Sequence, residues 1–309
     1  MAAALTQGKW RYSRIIYAAL LGVAILQAVL TYFICTREWL SGVSFSKLIL
    51  IRFSILIPEV LIWFIAARGA RRFKNYAVNI AGSPDGRALN DIANGLLVLV
   101  VYIITLGVMA NLINLLKASD LRDEAITSFN YLPLFIVALA SFWLYRGTQQ
   151  LMLLTGKPFW TGKRMMSMLI PFSIFAVVFG ANFYMHAPSL MTVSGDPRFV
   201  LPLPMLMMTY VLPHVVVWTL GIISGANLAW YAKHVSGNLY KQIFKQAYIG
   251  VILVYMCIFL AQILMSSPIV ESTFNLGVLF IYAVIILNIV GFTYVYRGAD
   301  KLQKIEDLA

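Results

Sequence analysis

Long apolar runs alternate with short polar stretches along the whole chain. The runs near 14–35, 47–67, 95–116, 130–145, 165–186, 203–226, 248–266 and 275–296 each approach the roughly 20 residues that a helix needs to cross ~30 Å of hydrocarbon. The pattern predicts an all-α polytopic membrane protein with eight transmembrane helices. The run 203–226 holds prolines but no cluster of charge that would split it. The first run is followed by Arg37 and Glu38 without a small-residue cleavage site, so it reads as a retained span and not as a signal peptide.

Charge sorts the connecting stretches into two sets. One set comprises the N-terminal segment, 68–94, 146–164, 227–247 and the C-terminal segment, and it carries most of the 24 Lys and Arg residues, among them Arg68, Arg71, Arg72, Arg146, Lys241 and Arg297. The other set mixes a few basic residues with Glu38, Asp120, Asp123 and Glu124. Basic residues near span ends stay cytoplasmic, which predicts both termini inside, as an even span count requires. The compact, short-looped layout points to a bacterial-type inner membrane.

Composition agrees with this picture. Of the 309 residues 61% are hydrophobic and 12% charged, which excludes a soluble globular enzyme and a disordered chain alike. The net charge of +12 follows from positive-inside topology and needs no nucleic acid. The expected partners are the bilayer, anionic lipid head groups on the cytoplasmic side, and other membrane subunits. Two cysteines, Cys35 and Cys257, exclude a disulfide framework and an all-thiolate zinc site, and no cofactor is expected.

Two segments align without a gap at an offset of 155: PEVLIWFIAARGARRFKNYAVNIAG from Pro58 and PHVVVWTLGIISGANLAWYAKHVSG from Pro213. Pro58 meets Pro213, Trp63 meets Trp218, Tyr76-Ala77 meets Tyr231-Ala232, and Gly95 meets Gly250. Tyr145-Arg146-Gly147 returns as Tyr296-Arg297-Gly298 at an offset of 151. Proline, tryptophan and glycine holding one register across a polar loop predict a duplication. Its halves are 10–155 and 160–305, four spans each in the same orientation, related by a two-fold axis along the membrane normal. Each half's second span is expected to continue as helix to near Gly82 or Gly237, and Ser83-Pro84-Asp85-Gly86 predicts a turn.

Ionisable residues inside spans cost about 2.5–3.5 kcal/mol on insertion scales and by default mark a site. Glu59 lies ~13 Å along the helix from Arg68, near the midplane, and the repeat places His214 at the same depth. Each follows a proline, Pro58 or Pro213, that removes a backbone donor and is expected to kink its helix. The two groups are candidates for a shared ion or solute site, with Asn111, Asn182 and Gln262 as polar lining; Gln27 and Asn114 are further polar positions within spans. Arg52, two turns before Glu59, is the competing partner that would neutralise it as a static pair. Tyr145, Arg146, Tyr296 and Arg297 are expected to anchor helix ends toward lipid.

Neither a P-loop, H-E-x-x-H nor G-x-S-x-G occurs, and the histidines do not match in depth as haem ligands would. The pattern therefore leans away from an enzyme. It predicts a transporter or channel for a small ion or solute with a midplane site between the repeats. The alternative is a non-catalytic subunit, scaffold or sensor in a larger membrane assembly.

Overall fold

The computed structural model describes residues 2–40, 44–116, 122–156, 211–265 and 274–306, with a few helical positions in 169–180. Seven long helices fill the five main stretches: α1 (Ala2–Leu40), α2 (Phe45–Asn79), α3 (Pro84–Leu116), α4 (Arg122–Leu153), α5 (Leu212–His234), α6 (Asn238–Met265) and α7 (Phe274–Glu306). There is no strand among the described residues. Among the described residues, six helices are long and apolar enough to cross a membrane. The expected span 165–186 lies almost wholly outside the described residues.

The turns are written locally. α2 ends at Asn79, and Ser83 Oγ accepts the Gly86 N–H at 3.0 Å, capping α3, whose first residue Pro84 has no N–H to lose. α5 ends at His234 and the chain reverses through Gly237, whose φ of 91° is the left-handed region that glycine tolerates. Both second-span helices thus stop where the sequence predicts.

The helices close a ring. α2 packs on α3, α3 on α4, α4 on α5, α5 on α6, α6 on α7, and α7 returns to α2, while α1 lies outside against α2 and α3. One apolar cluster runs through all seven helices, with Trp63, Phe73, Leu228, Phe244 and Phe292 among its members. Outward faces are also apolar, as at Phe135, Ile57 and Ile286. Helices apolar on both sides gain little from hydrophobicity when they meet in lipid, so close packing at small residues must hold them.

Those small residues occupy corresponding places. A methyl group on Gly95 of α3 would lie 2.9 Å from the Leu144 backbone nitrogen and 3.0 Å from the Ala140 carbonyl oxygen of α4. A methyl on Gly250 of α6 would lie 2.9 Å from the Val295 nitrogen and 2.6 Å from the Gly291 carbonyl oxygen of α7. Gly147 of α4 abuts Ala88 and Ile92 of α3, and Gly298 of α7 abuts Ile243 and Ala247 of α6. The buried faces of α2 and α5 also run in step at an offset of 155: Ile62/Val217, Trp63/Trp218, Ala66/Gly221, Gly69/Ser224, Ala70/Gly225, Phe73/Leu228, Tyr76/Tyr231 and Ala77/Ala232.

Candidate functional site

One helical face of α1 turns inward through Leu20, Gln27, Thr31 and Ile34, all buried. The spacing of seven, four and three residues keeps them on one stripe. Two of the four are polar, and they meet the middle of α2 and the second half of α3. Asn111 Nδ2 of α3 donates to Gln27 Oε1 at 3.0 Å and reaches Thr31 Oγ1 at 3.4 Å. Gln27 Nε2 is buried with no hydrogen-bond partner.

Glu59 of α2 completes the group. Its carboxylate occupies space that Gly107 of α3 leaves open: a Cβ there would overlap Glu59 Oε1 and lie 3.1 Å from Gln27 Nε2. A carboxylate, an unpartnered amide donor, a second amide and a hydroxyl therefore gather where α1, α2 and α3 meet. Glu59 takes part in none of the ion pairs among the described residues.

Arg52 is engaged elsewhere. It forms an ion pair with Glu38 at the end of α1, across the short connection between α1 and α2, so it does not neutralise Glu59. One turn before Pro58, Ser54 Oγ donates to the Ile51 carbonyl at 2.7 Å and hydrogen-bonds the Tyr282 hydroxyl of α7.

His214 is buried near the start of α5. α2 and α5 stand opposite each other in the ring, each with other helices as its packed neighbours, and Glu59 turns toward α1 and α3. The geometry does not bring Glu59 and His214 into one pair. Pro58 lies inside the uninterrupted α2; Val211, two residues before Pro213, is also helical, and residues 201–210 lie outside the described ones. Asn182 lies outside the described residues. Gln262 belongs to α6, and its side chain is not among those described.

The four residues expected to face lipid have varied settings. Arg146 Nε pairs with Asp91 of α3 at 2.7 Å and its guanidinium lies over the Trp143 ring. The Tyr296 ring receives the guanidinium groups of Arg68 at 5.5 Å and Arg72 at 4.6 Å, and its backbone abuts Gly69. Tyr296 is thus an interhelical contact of α7 with α2. Tyr145 is half-buried, Arg146 and Arg297 are both exposed, and Arg297 forms no ion pair among the described residues.

Arg87, Asn90, Asp91, Arg146 and Gln150 line a cleft of about 430 Å³ at the same end of the bundle. No cluster of three or more His, Cys, Asp or Glu suited to a metal occurs among the described residues. The two cysteines are buried and unpaired.

Sequence reading singles out Glu59, Gln27 and Asn111 but not Thr31 or Gly107. Thr31 was detectable, four residues after Gln27 on the same helical face. Gly107 carries no such signal, because its role is to leave space. Among known proteins, the chain matches no family model, no curated protein and no solved structure.

Proposed function

We propose that this chain is a membrane transporter for a small ion, with Glu59 as its exchanging group. The observation that carries the reading is the Glu59 carboxylate at mid-helix beside Gly107 and Gln27, in no ion pair among the described residues. An ionisable group retained at that cost inside a span marks a pathway.

The reading includes a duplicated architecture of two same-orientation halves, 10–155 and 160–305, around an upright two-fold axis. Three features support it. The buried faces of α2 and α5 share one register. The glycine crossings of α3 with α4 and of α6 with α7 use corresponding residues. The third is a reciprocal pair of hydrogen bonds: Tyr76 Oη to Tyr240 Oη at 3.0 Å, and Tyr231 Oη to Asp85 Oδ1 at 3.3 Å. A two-fold that carries Tyr76 onto Tyr231 carries Tyr240 onto Asp85. An inverted repeat would place these contacts at opposite ends.

The basic ends of α2, α4, α5 and α7 support a cytoplasmic placement of that side and of both termini, with anionic head groups as neighbours of Arg297, Lys241 and Lys245. The test is flux in proteoliposomes under imposed ion and proton gradients. Glu59→Gln abolishes gradient-driven flux while the protein stays monodisperse, and Glu59→Asp retains part of it. Unchanged flux in Glu59→Gln, or none in the parent under any gradient, removes the proposal.

A further inference from the structure

We infer that Glu59, Gln27, Thr31 and Asn111 form a proton-binding site where α1, α2 and α3 meet, with Gly107 providing the room for the carboxyl group. The site lies inside the first half and not between the halves. The inference deepens the transport reading and rests on it for its physiological role, but occupancy by a proton is measurable without any flux.

The chemistry separates a proton from a metal cation. A dehydrated alkali ion needs several oxygens free to replace its water shell. Here Gln27 Oε1 already accepts from Asn111, and Asn111 Nδ2 also reaches Thr31 Oγ1. The group left over is a donor, Gln27 Nε2, fully buried and lying beside the carboxyl group. A donor among would-be ligands opposes a cation, yet it suits a carboxylate that has just released its proton. Binding forms one O–H bond on the Glu59 carboxylate as one O–H bond of a hydronium ion breaks and leaves water, and release reverses it.

The helices packed on α2 supply no competing charge at this point. α1 presents Gln27 and Thr31, with Cys35 one turn beyond and Glu38 held by Arg52. α3 presents Gly107 and Asn111, while its Tyr102 is buried. From α7 the Tyr282 hydroxyl is tied to Ser54. Arg68 and Arg72, further along α2, are stacked on Tyr296.

Gly107 makes the site adjustable. The atom that a new methyl at 107 would meet is the end of a flexible side chain, so Gly107→Ala moves the Glu59 carboxyl without colliding with a backbone.

The experiment is pH-difference infrared spectroscopy of the purified protein in lipid nanodiscs, reading the C=O stretch of a protonated carboxylic acid. The expected result is a band that disappears reversibly as pH rises and is missing in Glu59→Gln. Gln27→Leu and Gly107→Ala each change its frequency and displace its midpoint by about one pH unit or more. Exchanging sodium for potassium or choline leaves the midpoint in place. Four results overturn the inference: no titrating band removed by Glu59→Gln, a midpoint that moves with sodium or potassium concentration, a band indifferent to both Gln27→Leu and Gly107→Ala, or variants too unstable for a folded spectrum together with a parent lacking the band. A titrating band in a protein without flux retains the site and removes the transport reading.

Discussion

Arg146 Nε lies 2.7 Å from Asp91 Oδ2 and ties the last turns of α4 to the first turns of α3 through an acid whose side chain is only 5% exposed. Gln150 Nε2 adds a longer contact to the same oxygen at 3.4 Å. At the corresponding positions of α6 and α7 stand Gln246 and Arg297. Gln246 Oε1 is buried without a hydrogen-bond partner, and Arg297 is exposed. An acid therefore cross-links one helix pair, and a neutral amide stands in its place in the other.

Removing Arg146 leaves the Asp91 charge buried and uncompensated. Arg146→Leu is expected to cost about 2 kcal/mol, below the range for fully buried pairs because the arginine is half exposed. Asp91→Asn with Arg146→Leu recovers part of the loss. Arg297→Leu is expected to stay within about 0.5 kcal/mol. Thermal unfolding in one detergent compares the three variants with the parent, and equal losses at 146 and 297 would contradict the assignment.

The glycine crossings predict matched sensitivities. Gly95→Ala and Gly250→Ala each press a methyl into backbone atoms of the partner helix and are expected to cost about 1–3 kcal/mol. Gly22→Ala of α1 meets nothing within 4 Å and is expected to be neutral or slightly stabilising, given alanine's better helix propensity. The measurement is the midpoint of thermal aggregation, and loss at only one of the two crossings would speak against their equivalence.

The reciprocal tyrosine contacts are separable. Tyr76→Phe and Tyr231→Phe each remove one hydrogen bond, worth about 0.5–1.5 kcal/mol. The two losses are expected to add in the double variant, because Tyr240 and Asp85 are different partners. Asp85→Asn keeps an acceptor and costs less than Asp85→Ala. Hydrogen exchange at the start of α3 and α6 reports which contact has opened.

Arg52 answers to Glu38, so Arg52→Leu and Glu38→Gln are expected to give similar, non-additive changes in stability of at most about 1 kcal/mol, both groups being partly exposed. The Glu59 infrared band stays as in the parent in both. A band altered by Arg52→Leu would restore Arg52 as the partner of Glu59.

Much of the fold was legible because its signals are local. Run length gave the six described spans, and Ser83-Pro84 and Gly237 marked the helix ends. The register of Pro58/Pro213 and Trp63/Trp218 located the positions whose burial runs in step. The environment of Glu59 was not legible. In helices apolar all round, periodicity does not say which face turns inward, so the sequence could not choose between His214 across the ring and Gln27 beside it. Arg52 stood as an alternative partner of Glu59 on proximity along one helix, whereas its partner Glu38 lies across the α1–α2 turn, 14 residues before it. In Tyr-Arg-Gly the aromatic and the charge drew notice as membrane anchors, while the glycine sets the helix spacing.

The ring closes through its last-made member. α7 supplies Asp300 to Arg72 and Tyr296 to Arg68 and Gly69, so one flank of α2 waits through most of translation for the segment that will cover it. Until then two guanidinium groups at the membrane surface have only water and phospholipid as company. A fragment ending after α4 would thus leave that flank of α2 uncovered, and the covering contacts would return only with a segment that carries α7.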